Sequence, residues 1–177
     1  FSPGTDGLFV TVNSRDGLGD ERVPDYLTPV QPGGFYGWPY SYLGQHPDPD
    51  FGNKRTDLIA KAIMPDLLFH AHSAPLGLVF YEGALFPAAY KGDAFVALHG
   101  SWNSAAPTGY KVVRVPFKNG RPTGTYENFV TGFWDGRGKP GSPAHVWGRP
   151  AGPAVARGGS LLTADAWGKS VWAARQQ

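Results

Sequence analysis

Apolar and polar positions alternate along this chain over short stretches, and nearly every stretch stops at glycine, proline or asparagine. Leu8-Phe9-Val10-Thr11-Val12 is β-branched and aromatic, lies between Asp6-Gly7 and Asn13-Ser14, and predicts a strand between turns. Residues 76–81 predict a second strand, ended by Glu82-Gly83, and residues 93–99 a third. Residues 110–117 alternate cleanly and run into Lys118-Asn119-Gly120, a hairpin signal, with residues 126–130 as the strand that follows. Four short strands with tight turns predict one antiparallel sheet of propeller-blade size. Residues 153–156, 160–165 and 170–174 then predict strands of the next blade. Residues 1–10 and 155–162 share a strand–turn–glycine–strand scheme, a weak internal repeat.

Three stretches fit this rhythm less well. Gly33-Gly34-Phe35-Tyr36-Gly37-Trp38-Pro39-Tyr40 sets four aromatic rings among glycines and a proline, and is expected to be pinned into a core. Residues 45–53 are polar, contain Pro47 and Pro49, and predict an exposed loop. Residues 58–69 imitate a helix, but Pro65 interrupts the pattern and keeps any helix short. The fold class is all-β, with residues 1–177 as one domain.

Composition narrows the functions open to this chain. Its 177 residues are 41% hydrophobic and 14% aromatic, enough for an ordinary domain with a core. Gly 25 and Pro 17 occur without a collagen period, which matches many turns joining short strands. A net charge of +2 and no run of lysine or arginine argue against a nucleic-acid-binding face. The lack of cysteine excludes disulfides, thiolate metal sites and thiol catalysis. No apolar run reaches transmembrane length. Phe1-Ser2-Pro3-Gly4 carries neither an initiator methionine nor a signal-peptide pattern, and reads as the interior of a longer protein.

Self-contained catalytic motifs fail one by one. Gly168-Lys169-Ser170 suggests a phosphate loop, but Thr163 stands where the first glycine belongs and the surroundings read strand–turn–strand. No nucleophile elbow or zinc helix is present. His70 and His72 would share one face of an extended segment, without an evident third ligand. Asp16, Asp20, Glu21 and Asp25 offer hard oxygen ligands, yet depart from the EF-hand order and read as solvated turn residues. Two segments are more suggestive. Leu98-His99-Gly100-Ser101-Trp102-Asn103 and Trp147-Gly148-Arg149-Pro150-Ala151-Gly152 each place an ionisable or cationic side chain near an indole where a strand gives way to glycine. Arginine is a planar donor fork suited to carboxylates, so Arg149 suits a flat anionic ligand, or alternatively clamps a blade closure.

Those two motifs, with Arg15-Asp16-Gly17-Leu18-Gly19-Asp20, Gly34-Phe35-Tyr36-Gly37-Trp38-Pro39-Tyr40 and His72-Ser73-Ala74-Pro75-Leu76-Gly77-Leu78, resemble the sorbosone/glucose dehydrogenase family of soluble quinoproteins. The resemblance implies a six-bladed β-propeller of four-stranded antiparallel blades, about three of them here, with pyrroloquinoline quinone (PQQ) in a central funnel. It implies a calcium ion that polarises the quinone, with Asn13, Ser14, Arg15, Asp16 and Tyr36 matching the region that lends calcium its ligands, largely backbone oxygens. His99 and Arg149 would reach the quinone, with Trp102 and Trp147 beside them. A sugar would be the substrate, an external acceptor would take the electrons, and the protein would work in the periplasm or outside the cell. The segment bearing the family's catalytic histidine has no match in these residues, so the resemblance assigns no catalytic residue and implies a missing N-terminal half or another chain as partner. The other reading is a non-catalytic propeller module that binds carbohydrate or a protein, for which the aromatic loop over residues 35–42 suits sugar stacking.

Overall fold

The computed structural model describes residues 1–137 and 145–175. In chain order its elements are β1 (Phe9–Val12), β2 (Tyr26–Pro29), β3 (Ser41–Tyr42), β4 (His46–Pro47), α1 (Thr56–Ile59), β5 (Leu67–Leu68), β6 (Pro75–Phe80), β7 (Ala94–Leu98), β8 (Lys111–Val115), β9 (Phe117–Lys118), β10 (Arg121–Pro122), β11 (Glu127–Val130), β12 (Pro150–Val155), β13 (Leu161–Asp165) and β14 (Ser170–Ala174). The α-helix is a single turn that begins before the expected 58–69 stretch and ends at Ile59, short of Pro65.

Three antiparallel sheets organise the chain. The first has the order β1-β2-β5, the second β11-β8-β7-β6 and the third β12-β13-β14. The four-stranded sheet is the one expected from alternation. β7 is buried along its whole length, because both faces of its sheet are covered. Ala94, Val96 and Leu98 join Val113 and Val115 in a cluster with Phe9, Leu27, Leu67 and Phe69 of the first sheet and its margin. Phe95, one step out of phase, joins Val112, Tyr81, Phe86 and Leu161 toward the third sheet. The period-two alternation of a strand thus sends successive side chains into two different cores. Each buried valine, leucine or phenylalanine among them contributes roughly 1.5–3 kcal/mol.

The strands β1, β6 and β12 each form one edge of their sheet, and β6 packs against both β1 and β12. Two polar anchors lie at the end of the sheets away from the site, the first joining the second sheet to the β12–β13 connection and the second bracing the second sheet internally. The Tyr81 hydroxyl, fully buried, donates to the Gly159 carbonyl at 2.9 Å and accepts from the amides of Leu85 and Phe86 at 3.0 Å each. The Asp93 carboxylate, also buried, accepts from Arg114 Nε at 2.7 Å and from the Phe117 amide at 2.8 Å.

Several expectations are corrected. The aromatic segment over residues 33–40 is a surface turn, with Trp38 65% exposed rather than in the core. Residues 45–53 include β4, which pairs with β3, and the buried Asp48, so they are not a plain exposed loop. Residues 1–8 contain no strand, which removes the internal repeat; only its second copy, the β12–β13 connection, has the expected shape. β12 also begins at Pro150, three residues before the alternation suggests.

Candidate functional site

Antiparallel pairing brings the chemistry-bearing loops to one end of the sheets. His99 follows the end of β7, which lies opposite Lys111 and Pro75. Arg149 precedes Pro150, which pairs with Asp165 at the end of β13. Residues 13–25 connect β1 to β2 at the same end, because the Asp25 carboxylate ties them to the segment leading into β6. Its oxygens accept from the Ser14 amide and the Ala74 amide, each at 2.8 Å. The line of bonds continues from the His99 amide to the Ala74 carbonyl and from the Gly100 amide to the Ser73 carbonyl, both 2.9 Å. It ends at Arg149, whose Nη1 donates to the Gly100 carbonyl at 2.9 Å and whose Nη2 donates to the Ser101 carbonyl at 3.2 Å.

Local sequence explains this arrangement. Gly100 has φ +97°, and a Cβ there would run into the Tyr110 ring, so glycine is required where the strand turns away after His99. The Tyr110 hydroxyl donates to the Ser101 carbonyl, and its ring lies 5.0 Å from the Arg149 guanidinium carbon. The Arg149 main chain is fixed as firmly as its side chain. Asp165 Oδ1 accepts from the amides of Arg149, Trp167 and Gly168 at 2.8, 3.0 and 2.8 Å, and Oδ2 from Trp172 Nε1 at 3.2 Å. Burial opposes the charge on Asp165, but the bonds from Gly168, Arg149, Trp172 and Trp167 outweigh it and hold its pKa below the ordinary value. His99 is half-buried; burial and then the Arg149 cation push its pKa down, against the pull of Asp165, which favours a neutral ring.

His99 and Arg149 therefore come together, and Trp102 follows Ser101, whose carbonyl Arg149 binds, with its side chain 80% exposed. Trp147 does not lie against the guanidinium. It packs on Phe133 and Trp172, with 5.4 Å between ring centroids in each case, while the indole near Arg149 is that of Trp167, at 5.9 Å. Asp165, Tyr110 and Trp167 escaped the sequence reading, since their contacts with Arg149 depend on strand register. Lys111 did too; it starts β8 at this end, and burial lowers its pKa.

Of the residues matched to a calcium region, Ser14, Arg15, Asp16 and Tyr36 are engaged by protein partners. Ser14 Oγ donates to the Pro24 carbonyl, Arg15 pairs with Asp48 at 2.9 Å and Asp50 at 2.5 Å, Asp16 pairs with His72 at 3.2 Å, and the Tyr36 hydroxyl donates to the Pro29 carbonyl. Asp20 and Glu21 diverge toward the Ala105 amide and His70, so the acidic loop does not form a cluster. His72 has φ +62° and meets different partners from His70, so the two imidazoles do not share an extended face. Among the described residues, no three histidine or carboxylate side chains group as metal ligands. What does fit a hard cation is the backbone. Among the described residues, no hydrogen-bond donor reaches the carbonyls of residues 14–18, while the amide of Ser14 is held by Asp25. Backbone carbonyls without donors are the kind of oxygen calcium takes.

A cleft of about 290 Å³ opens beside this loop, lined by Asn13, Arg15, Tyr26, Tyr36, Trp38 and Tyr42, among others. No helix among the described residues is long and apolar enough to cross a membrane.

Comparison with known proteins gives consistent relatives. The TrAA12-like family model matches residues 46–169. A pyrroloquinoline quinone-dependent pyranose dehydrogenase of Coprinopsis cinerea is 47% identical over 57 residues, covering 32% of this chain and 7% of that protein. The holo pyranose dehydrogenase PQQ domain from Coprinopsis cinerea superposes with a TM-score of 0.69 at 21% identity, over 97% of this chain and 49% of that one. The calcium structure of Trichoderma reesei Carbohydrate-Active Enzymes Family AA12 superposes with a TM-score of 0.68 at 20% identity, over 94% of this chain and 48% of that one. The chain thus spans about half the length of these solved structures.

Proposed function

This chain belongs to the TrAA12-like family, and from that membership we propose that it forms the quinone- and calcium-holding portion of a sugar dehydrogenase. The three sheets act in this reading as neighbouring blades of a six-bladed propeller, with β1, β6 and β12 toward its axis. The observation that carries the reading is the gathering of His99, Arg149 and the donor-poor carbonyls of residues 14–18 at one end of those sheets. The names of the relatives, a quinone-dependent pyranose dehydrogenase and a calcium-bearing AA12 structure, support it.

Bound pyrroloquinoline quinone would supply the redox chemistry, taking hydride from the sugar carbon. Arg149 has used one N–H on each terminal nitrogen for Gly100 and Ser101, so further donors of its fork stay available for a cofactor carboxylate. His99, kept neutral, offers a ring nitrogen as a hydrogen-bond partner for the same ligand. Trp102 and Trp147 place exposed rings at this end to exclude water from it. The carbonyls of residues 14–18 would hold calcium. None of these residues carries the proton chemistry, so the chain works with a further segment that completes the propeller, passes electrons to an external acceptor, and acts outside the cytoplasm.

Quinone titration in the presence of calcium tests the site, with binding followed by absorbance. Arg149→Ala is expected to weaken binding by more than about tenfold, through loss of a charge-assisted hydrogen bond. Unchanged affinity would remove Arg149 from the site. Saccharide binding without any quinone binding would favour the non-catalytic module instead.

A further inference from the structure

The cleft beside residues 13–15 lies apart from the Arg149 cluster and borders, through Ser14 and Arg15, the stretch whose backbone oxygens are proposed for calcium. Its walls combine aromatic faces with hydrogen-bonding groups. Tyr26, Tyr36, Trp38 and Tyr42 supply the rings, and Asn13 and Arg15 the polar groups. The rings are held in place. The Tyr36 hydroxyl donates to the Pro29 carbonyl and accepts from the Gln31 amide at 3.1 Å, which fixes that ring at its far end. Trp38 projects from a turn closed by the amides of Tyr40 and Ser41, both bonded to the Gly37 carbonyl at 2.8 Å. Gly37, at φ +106°, is essential to that turn, since a Cβ would collide with the Ser41 carbonyl. Trp38 is thereby kept 65% exposed on a built scaffold, an arrangement a core would not need.

Charge then selects the ligand. Arg15 is the single charged residue of the lining, and Asp48 and Asp50 neutralise it. An anion meets no uncompensated cation here, and a cation meets no lining carboxylate. Burial and the neighbouring Tyr36 push the Tyr26 hydroxyl up in pKa, so it too stays neutral. A purely apolar ligand would leave the Asn13 amide, and the N–H groups of Arg15 not taken by Asp48 and Asp50, without partners. The Ser41 hydroxyl, buried and without a partner among the described residues, also lines the cleft. A ring with C–H faces and several uncharged hydroxyls satisfies both kinds of wall. We infer that this cleft binds a neutral pyranose ring, stacked on Trp38 and Tyr42 and hydrogen-bonded by Asn13 and Arg15. It extends the proposed function by adding a saccharide position away from His99 and Arg149, and requires neither quinone nor calcium.

The test is a titration of the purified protein with methyl β-D-glucopyranoside and with cellobiose, without quinone and with calcium chelated. Tryptophan fluorescence and saturation-transfer NMR report binding. Saturable binding of at least one of these sugars is expected at millimolar concentration, with Trp38→Ala and Tyr42→Ala each weakening it about tenfold or more. Trp38→Phe keeps a stacking face and is expected to retain most of the affinity, which separates stacking from any effect on folding. Trp167→Ala, beside Arg149, is expected to leave sugar binding unchanged. The inference is overturned if neither sugar saturates, if glucose 6-phosphate binds more tightly than the neutral sugars, or if Trp38→Ala binds like the parent. Failure here leaves quinone affinity untouched, and loss of quinone affinity in Arg149→Ala leaves sugar binding untouched.

Discussion

Asp165 shows how much one side chain decides at the end where the loops meet. Its carboxylate takes three backbone amides and one indole N–H, and one of those amides is that of Arg149. Asp165→Ala strands these donors, so unfolding in urea is expected to show a loss of about 2–4 kcal/mol. His99 has its own signature. Its folded pKa lies below 6.5, so the unfolded chain takes up a proton there first, and stability declines as pH falls from 6.5 toward the depressed value. A thermal-midpoint series against pH is expected to show that decline, and His99→Gln to flatten it; equal slopes would contradict the burial of this ring. His99 and Arg149 were legible in the sequence because each sits where alternation gives way to glycine. Asp165, Tyr110 and Trp167 were not, because what they do depends on partners brought close only by register. The bonds of Arg149 to Gly100 and Ser101 cross 49 and 48 positions of sequence.

At the scale of elements, alternation is informative where a strand is long enough to repeat. β6, β7, β8 and β11 emerged from the pattern because each runs four to six residues between turns. β5, of two residues, is too short to show a period, and β2 ends on a proline; only the pairing of β2 with β1 on one side and β5 on the other makes them a sheet. The turn over residues 33–40 misleads for another reason. Four aromatic rings signal burial by composition alone, whereas glycine and proline there build a protruding turn. Joints between sheets are equally hidden. Tyr81 reads as the last residue of a strand, yet its hydroxyl fastens the second sheet to the β12–β13 connection. Tyr81→Phe keeps the ring packing and leaves the Leu85 and Phe86 amides and the Gly159 carbonyl short of a partner. Its unfolding free energy is expected to drop by about 1–3 kcal/mol with an unchanged denaturant slope.

For the molecule as a whole, sheets packed side by side divide the labour between their two ends. One end is closed by Tyr81 and Asp93; the other collects the connections that carry His99, Arg149 and residues 13–25. The all-β class was legible because it rests on local alternation. The order in which sheets adjoin was not, because it is set by which faces share a core. The carboxylates of Asp25 and Asp165 have a consequence for solvent access. They seize main-chain N–H groups outside the regular ladders: those of Ser14 and Ala74 in one case, and of Arg149, Trp167 and Gly168 in the other. Deuterium is therefore expected to enter these five loop amides about ten- to a hundredfold more slowly than an unbonded loop amide, at rates nearer those of a strand. Connections that look like the loosest parts of the chain would then be among the last to breathe.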